Sequence, residues 1–237
     1  MPCLVDQVYP EMAWSLVGIL RHFGYEVKVE PRITCCGQPA FNSGQAEQAR
    51  EVASSVLESL GTEGPIVCPS GSCTAMIRNF YTQLFRDTEL EAAASALSSR
   101  IEEFSEFMTK TGLAARLKAK ASGKVAFHNS CHSLRELGIE QAPMELLRRV
   151  EGIELVALDA PPACCGFGGL FSVKFAPIAA GMTKSRLETF ADRGVETLVS
   201  NDPGCIMQLR QRLGEQPFGF EVLHLTEFLA RAMGVAS

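Results

Sequence analysis

Cysteine spacing constrains this chain more than any other feature. The cysteines stand at positions 3, 35, 36, 68, 73, 131, 164, 165 and 205. With Cys68 set aside, they form two quartets: Cys3, Cys35, Cys36, Cys73 and Cys131, Cys164, Cys165, Cys205. The first cysteine stands 32 residues before its adjacent pair in one quartet and 33 in the other; the last follows the pair by 37 and 40. Flanking residues agree. "TCCGQPAFNSG" (34–44) matches "ACCGFGGLFS" (163–172), "PSGSC" (69–73) matches "NDPGC" (201–205), and "FSEFMTKTG" (104–112) resembles "LTEFLARAMG" (225–234). Similarity repeated at one offset along a chain marks a duplication. The expected halves are 1–122, whose stretch 86–122 reads as a helical connector, and 123–237, with "KASGK" (120–124) as the linker.

Each half alternates strand and helix patterns. In the second, the strand candidates are 124–128, 153–159, 196–200 and 220–225, between helical patterns at 139–150, 176–193, 205–213 and 226–233. In the first, 25–29 and 65–68 are strand candidates, and helices fit 10–23, 44–60, 74–85 and parts of 88–119. Such alternation predicts an α/β fold: two parallel-sheet halves related by a pseudo-twofold, with the cysteine loops at the carboxyl ends of the strands. One element is out of order. "KVAFHNS" leads into Cys131, but only Met1 and Pro2 precede Cys3. The first half is therefore expected to lack its first strand, or the native chain to start upstream.

Thiolates are soft ligands suited to iron–sulfur clusters, zinc and Cu(I). Two adjacent thiolates chelate a single ion awkwardly, whereas a multi-metal cluster offers each a separate iron. Gly37 and Gly166, directly behind the pairs, let the backbone turn tightly and approach the bound group. Cys73 and Cys205 are expected at helix starts, capped by Ser70 and Asp202, with Pro203 in a first turn. Buried structural cysteine would account for one adjacent pair, but two quartets of matched spacing count against it. Structural zinc competes, but its usual close C-x₂₋₄-C spacing is missing from both quartets. Cys68, matched by Ser200, reads as a core residue at a strand end.

Around Cys131, "FHNSCHSLRELG" (127–138) supplies His128, His132 and Arg135. His132 and Arg135 are the candidate catalytic residues, as proton shuttle and as carboxylate or cluster-charge partner. Asp6 and Tyr9 take such places beside Cys3, so the two sites are not expected to be equivalent. The 237 residues carry a net charge of −5 with both signs interspersed, which excludes nucleic acid as a partner. No apolar run has the length of a transmembrane segment, and the N-terminus lacks a signal-peptide pattern, so a cytoplasmic protein is expected. In that compartment nine cysteines point to metal or redox chemistry rather than disulfides. "GFGGLF" (166–171) lacks the spacing and context of a dinucleotide-binding loop.

The doubled pattern of cysteine, "CCG" and cysteine resembles the cysteine-rich CCG-domain proteins, which include the cysteine-rich component of heterodisulfide reductase and the iron–sulfur component of glycolate oxidase. "CLVDQVYPE", "TCCGQPAFNSG", "PSGSC", "CHSLRELGI" and "CCGFGGLFS" most resemble the lactate-utilisation protein A group and span nearly the whole chain. The resemblance implies an iron–sulfur electron carrier, with all eight quartet cysteines as ligands, working with other subunits of a complex that oxidises L-lactate to pyruvate. The fuller family motif ends in C-x-x-C; here Ser70 and Asp202 replace its first cysteine. Four cysteines per half imply a [4Fe–4S] cluster rather than the five-cysteine noncubane type, with zinc the competing occupant of one motif. The alternatives are a thiol–disulfide redox protein like the heterodisulfide reductases and a zinc-stabilised binding module.

Overall fold

A computed structural model describes residues 1–60, 63–157, 163–215 and 218–235. Its strands are β1 (Ile66–Cys68), β2 (Ile101–Glu103), β3 (Ala119–His128), β4 (Val150–Leu155), β5 (Thr197–Ser200) and β6 (Glu221–His224). The last four form one parallel sheet in the order β4-β3-β5-β6. Parallel neighbours need crossovers, supplied by helices Gln141–Arg148, Ala176–Ala191 and Pro203–Glu215. β5 is buried along its whole length, as an apolar strand between two others must be. β1 and β2 form a separate parallel pair, Ile66 opposite Ile101 and Cys68 opposite Glu103. The fold is thus α/β, with a parallel sheet in each half.

Four sequence expectations change. Residues 25–29 join no ladder. A strand exists only through its neighbour, and the neighbour matching β3 would lie ahead of Cys3. Residues 101–103, expected within a helical connector, are β2; three residues between two helices are too few to show a strand period. The expected linker at 120–124 lies inside β3, whose register with β4 shifts between Lys120 and Gly123. Of the expected strand at 153–159, β4 takes the first three residues and begins earlier, at Val150; residues 158 and 159 lie outside those described.

The halves interlock. Helix Pro10–His22 lies against helix Leu225–Met233, with the Thr226 hydroxyl donating to the Met12 carbonyl at 2.8 Å. Helix Gln141–Arg148 lies against helix Phe104–Lys110. Leu16, Phe107, Met108, Leu147 and Leu229 join one core cluster across these contacts. Each such side chain contributes roughly 1.5–3 kcal/mol on burial, so separating the halves would expose a shared core. Among the described residues no helix is long and apolar enough to cross a membrane.

Candidate metal centres

In the second half three strand ends deliver the quartet. β3 runs through Asn129 and Ser130 into helix Cys131–Arg135, where the Ser130 hydroxyl accepts the Ser133 N–H at 3.2 Å. The chain beyond β4 carries Cys164 and Cys165. Beyond β5, Asp202 caps helix Pro203–Glu215 by accepting from the N–H groups of Gly204 (3.0 Å) and Cys205 (3.3 Å). The sheet order reverses between β3 and β5, and loops leaving such a switch point open a crevice at the carboxyl edge. Cys165 Sγ and Cys205 Sγ stand 3.0 Å apart there. Gly166 has φ +91°, and a Cβ on it would sit 2.6 Å from the Ala179 carbonyl oxygen, so only glycine makes this turn.

The first half repeats the arrangement. Cys3 opens helix Cys3–Gln7, and Cys35 and Cys36 precede Gly37 at φ +83°, where a Cβ would meet the Ala49 carbonyl oxygen at 2.8 Å. Cys73 follows β1 in helix Gly71–Ala75, its N–H held by the Ser70 hydroxyl at 3.3 Å. Cys36 Sγ and Cys73 Sγ are 3.5 Å apart. In both halves a hydroxyl fixes the carbonyl of the second paired cysteine: Tyr81 on Cys36 at 2.9 Å, Thr183 on Cys165 at 2.8 Å.

The thiols are polarised alike. Hydrogen bonds from Cys3 and Cys36, aided by the Gly37 N–H, hold Cys35 down to about 2. Cys131, Cys165 and the Gly166 N–H do the same for Cys164, also to about 2. Cys3 and Cys131, bonded to those sulfurs and partly buried, are pushed far above the ordinary thiol range. Each site therefore brings four soft donors together, with hydrogen bonds from its neighbours favouring the thiolate form of one of them. That donor set fits a thiophilic metal group.

The surroundings differ. His128, Cys165 and Cys205 place a ring nitrogen and two sulfurs within 4.8 Å of one another. His128 Nδ1 accepts from buried Arg186 Nε at 3.2 Å, while Nε2 is buried with no hydrogen-bond partner among the described residues. Burial, then the Arg186 charge, lowers His128 to about 3. Arg186 also lies over the Phe190 ring at 4.5 Å. His128 is visible in the sequence beside Cys131, though without a role, and Arg186 is not visible there at all. Arg186 sits 55 residues from Cys131 on helix Ala176–Ala191, and no local pattern links the two. His132 pairs with Glu136 at 2.9 Å, and Arg135 is exposed. Cys68 is a buried core residue at the end of β1, donating to the Ser70 carbonyl at 3.7 Å.

The two final cysteine loops touch. Gly71 N–H donates to the Asn201 carbonyl at 3.2 Å, and Ser72 N–H to Asp202 at 2.8 Å. A Cβ on Gly71 would lie 1.8 Å from the Ser133 hydroxyl, so the junction admits only glycine. Asp202 thus caps a helix in its own half and binds the matching loop of the other.

The cysteine-rich CCG domain model matches this chain twice, over residues 1–78 and 125–210. The chain belongs to the CCG cysteine-rich family. Among its similar proteins, Lactate utilization protein A of Geobacillus sp. (strain WCH70) is 35% identical over 227 residues, covering 96% of this chain and 95% of that one. Lactate utilization protein A 2 of Bacillus cereus (strain Q1) is 36% identical over 232 residues, covering 98% and 96%. In this CCG protein both matched stretches contain a complete quartet.

Proposed function

We propose that this chain is an iron–sulfur electron-transfer subunit of a system oxidising L-lactate to pyruvate. The observation that carries the reading is the doubled all-thiol site, four converging sulfurs at each of two places joined through Asp202. The lactate-utilisation names of its relatives supply the substrate. Cys3, Cys35, Cys36 and Cys73 would hold one cluster, and Cys131, Cys164, Cys165 and Cys205 the other. A bound iron–sulfur cluster supplies one-electron transfer. Lactate gives up two electrons as a hydride equivalent, and the sequence offers no nicotinamide or flavin motif to accept it. That step therefore belongs to partner subunits, and this chain passes electrons. Exposed Val173, Phe175 and Ile178, just beyond the second pair, form an apolar surface on which a partner can dock.

Zinc in the second centre is the reading that His128 favours, since His128, Cys165 and Cys205 make a mixed N/S set. Arg186 stands against it. A ligating histidine carries a proton on its other nitrogen, and Nδ1 here faces a donor that needs an acceptor. Anaerobic purification with iron, acid-labile sulfide and zinc counted per chain decides between them. Iron with sulfide is expected; a well-folded anaerobic preparation holding zinc alone would overturn the redox reading. Lactate turnover by the isolated chain would overturn the carrier role, since activity is expected only with the partner subunits present.

A further inference from the structure

The fold holds His128 firmly and satisfies only one of its ring nitrogens. The backbone is fixed first: His128 ends β3 opposite Ser200 of β5, and the Ser200 hydroxyl donates to the His128 carbonyl at 2.8 Å. Arg186 then fixes the ring, its Nε donating to Nδ1 at 3.2 Å. The guanidinium is itself held in place over the Phe190 ring, at 4.5 Å. Both His128 and Arg186 are buried.

An arginine Nε–H donates and cannot accept. Nδ1 is therefore the acceptor and carries no proton. A neutral imidazole has one proton on one nitrogen, so that proton sits on Nε2. Arg186 thus sets the tautomer as well as the ring orientation. Nε2–H finds no acceptor among the described residues. A buried donor left this way has lost its water and gained nothing in return, and native structures rarely leave one unless a bound group completes it. The ring stands at the second centre. One of its nitrogens and the Sγ atoms of Cys165 and Cys205 all lie within 4.8 Å of one another.

We propose that His128 is an N–H donor to sulfur of an iron–sulfur cluster at the second centre, held in the donating tautomer by Arg186. The inference rests on the iron–sulfur reading above and gives a role to two residues outside the quartet. Cys165 and Cys205, as cluster ligands, would carry thiolate and sulfide acceptors to this ring. Hydrogen bonds to those sulfurs favour the more negative, reduced state and so raise the reduction potential. Ligation by the same nitrogen is excluded, because Nε2 offers no lone pair while it carries the proton. Arg186 is then a positioning residue that acts through His128. Among the described residues no histidine stands in this relation to two sulfurs of the first centre, so the effect is confined to the second.

The test uses protein purified anaerobically, with iron, sulfide and zinc counted and with 15N-labelled histidine incorporated. Electron–nuclear double resonance of the reduced protein in ordinary and heavy water is expected to show an exchangeable proton and a weakly coupled histidine nitrogen, both absent from His128→Phe. Redox titration followed by electron paramagnetic resonance is expected to show one cluster signal of His128→Phe shifted about tenfold toward the oxidised state, about 59 mV for one electron, with the other signal unmoved. His128→Gln, whose amide can accept from Arg186 and still donate, is expected to recover most of that shift. Should His128→Phe fail to fold or to hold its cluster, the double-resonance spectrum of the unaltered protein decides. A strongly coupled nitrogen would make His128 a ligand and overturn the proposal. So would a protein with iron and sulfide whose clusters couple to no histidine and keep their potentials in His128→Phe. Zinc alone overturns the iron–sulfur reading itself, and this proposal falls with it.

Discussion

The two centres share a donor set and differ in what stands behind it. In the second, a complete four-stranded sheet brings His128 to the cysteines, and Arg186 adds a buried positive charge. In the first, a two-stranded sheet leaves that flank open, and the buried neighbours are Cys68 and the Tyr81 hydroxyl. Duplication copied the cysteines more faithfully than the electrostatics. On the proposed reading a cluster would gain negative charge on reduction, so one beside Arg186 would hold an electron more favourably. Electrons would run from the first centre to the second.

Ligand deletion is the largest break. Cys165→Ser should remove about half the iron per chain and abolish activity of the assembled system without unfolding the protein. Cys36→Ser should remove the other half. Loss of both clusters from either change would show the centres to be one assembly. The comparison sharpens with Arg186→Gln. A unit charge removed a few ångströms away at an effective dielectric near 20 should lower the potential of one cluster signal by about 100 mV and leave the other in place. Redox titration followed by electron paramagnetic resonance reads this, and equal shifts in both signals would contradict the assignment.

A pH comparison follows from two matched caps. Glu103 and His224 end β2 and β6, each buried and accepting from the N–H groups of the helix that follows. Burial pushes Glu103 up to about 7 and, with the Arg210 charge, His224 down to about 3. Their signs oppose. Glu103 contributes stability that is full below its unfolded pKa near 4.5 and is lost as pH rises through about 7. His224 contributes stability that is full above about 6.5 and is lost as pH falls toward 3. Between about pH 6.5 and 5 each is worth about 2 kcal/mol. Urea unfolding should therefore show Glu103→Gln losing stability more steeply than the parent as pH falls, and His224→Asn less steeply. Parallel profiles would remove the distinction. The smallest effect is Cys68→Ala, at about 1–2 kcal/mol of stability with metal content unchanged; a fall in iron would make Cys68 a ligand.

The cysteines that converge at each place were legible in the sequence because a duplication preserves the spacing of the loops that carry them. The caps Ser70 and Asp202 were legible for the same local reason, each bonding N–H groups two or three residues away. Chemistry carried across the fold was not legible. Asp202 also reaches Ser72, 130 residues away in sequence, and Arg186 reaches His128 over 58. Segment 25–29 misled because β-propensity states what a chain can pair as, while pairing itself depends on a neighbour. By itself the sequence determined the duplication, the parallel α/β class and the two thiol quartets, all set by local pattern and spacing. The tertiary structure decided the contact between the two sites, the charge behind one of them and the open edge behind the other. Each of these depends on which distant segments come to lie side by side.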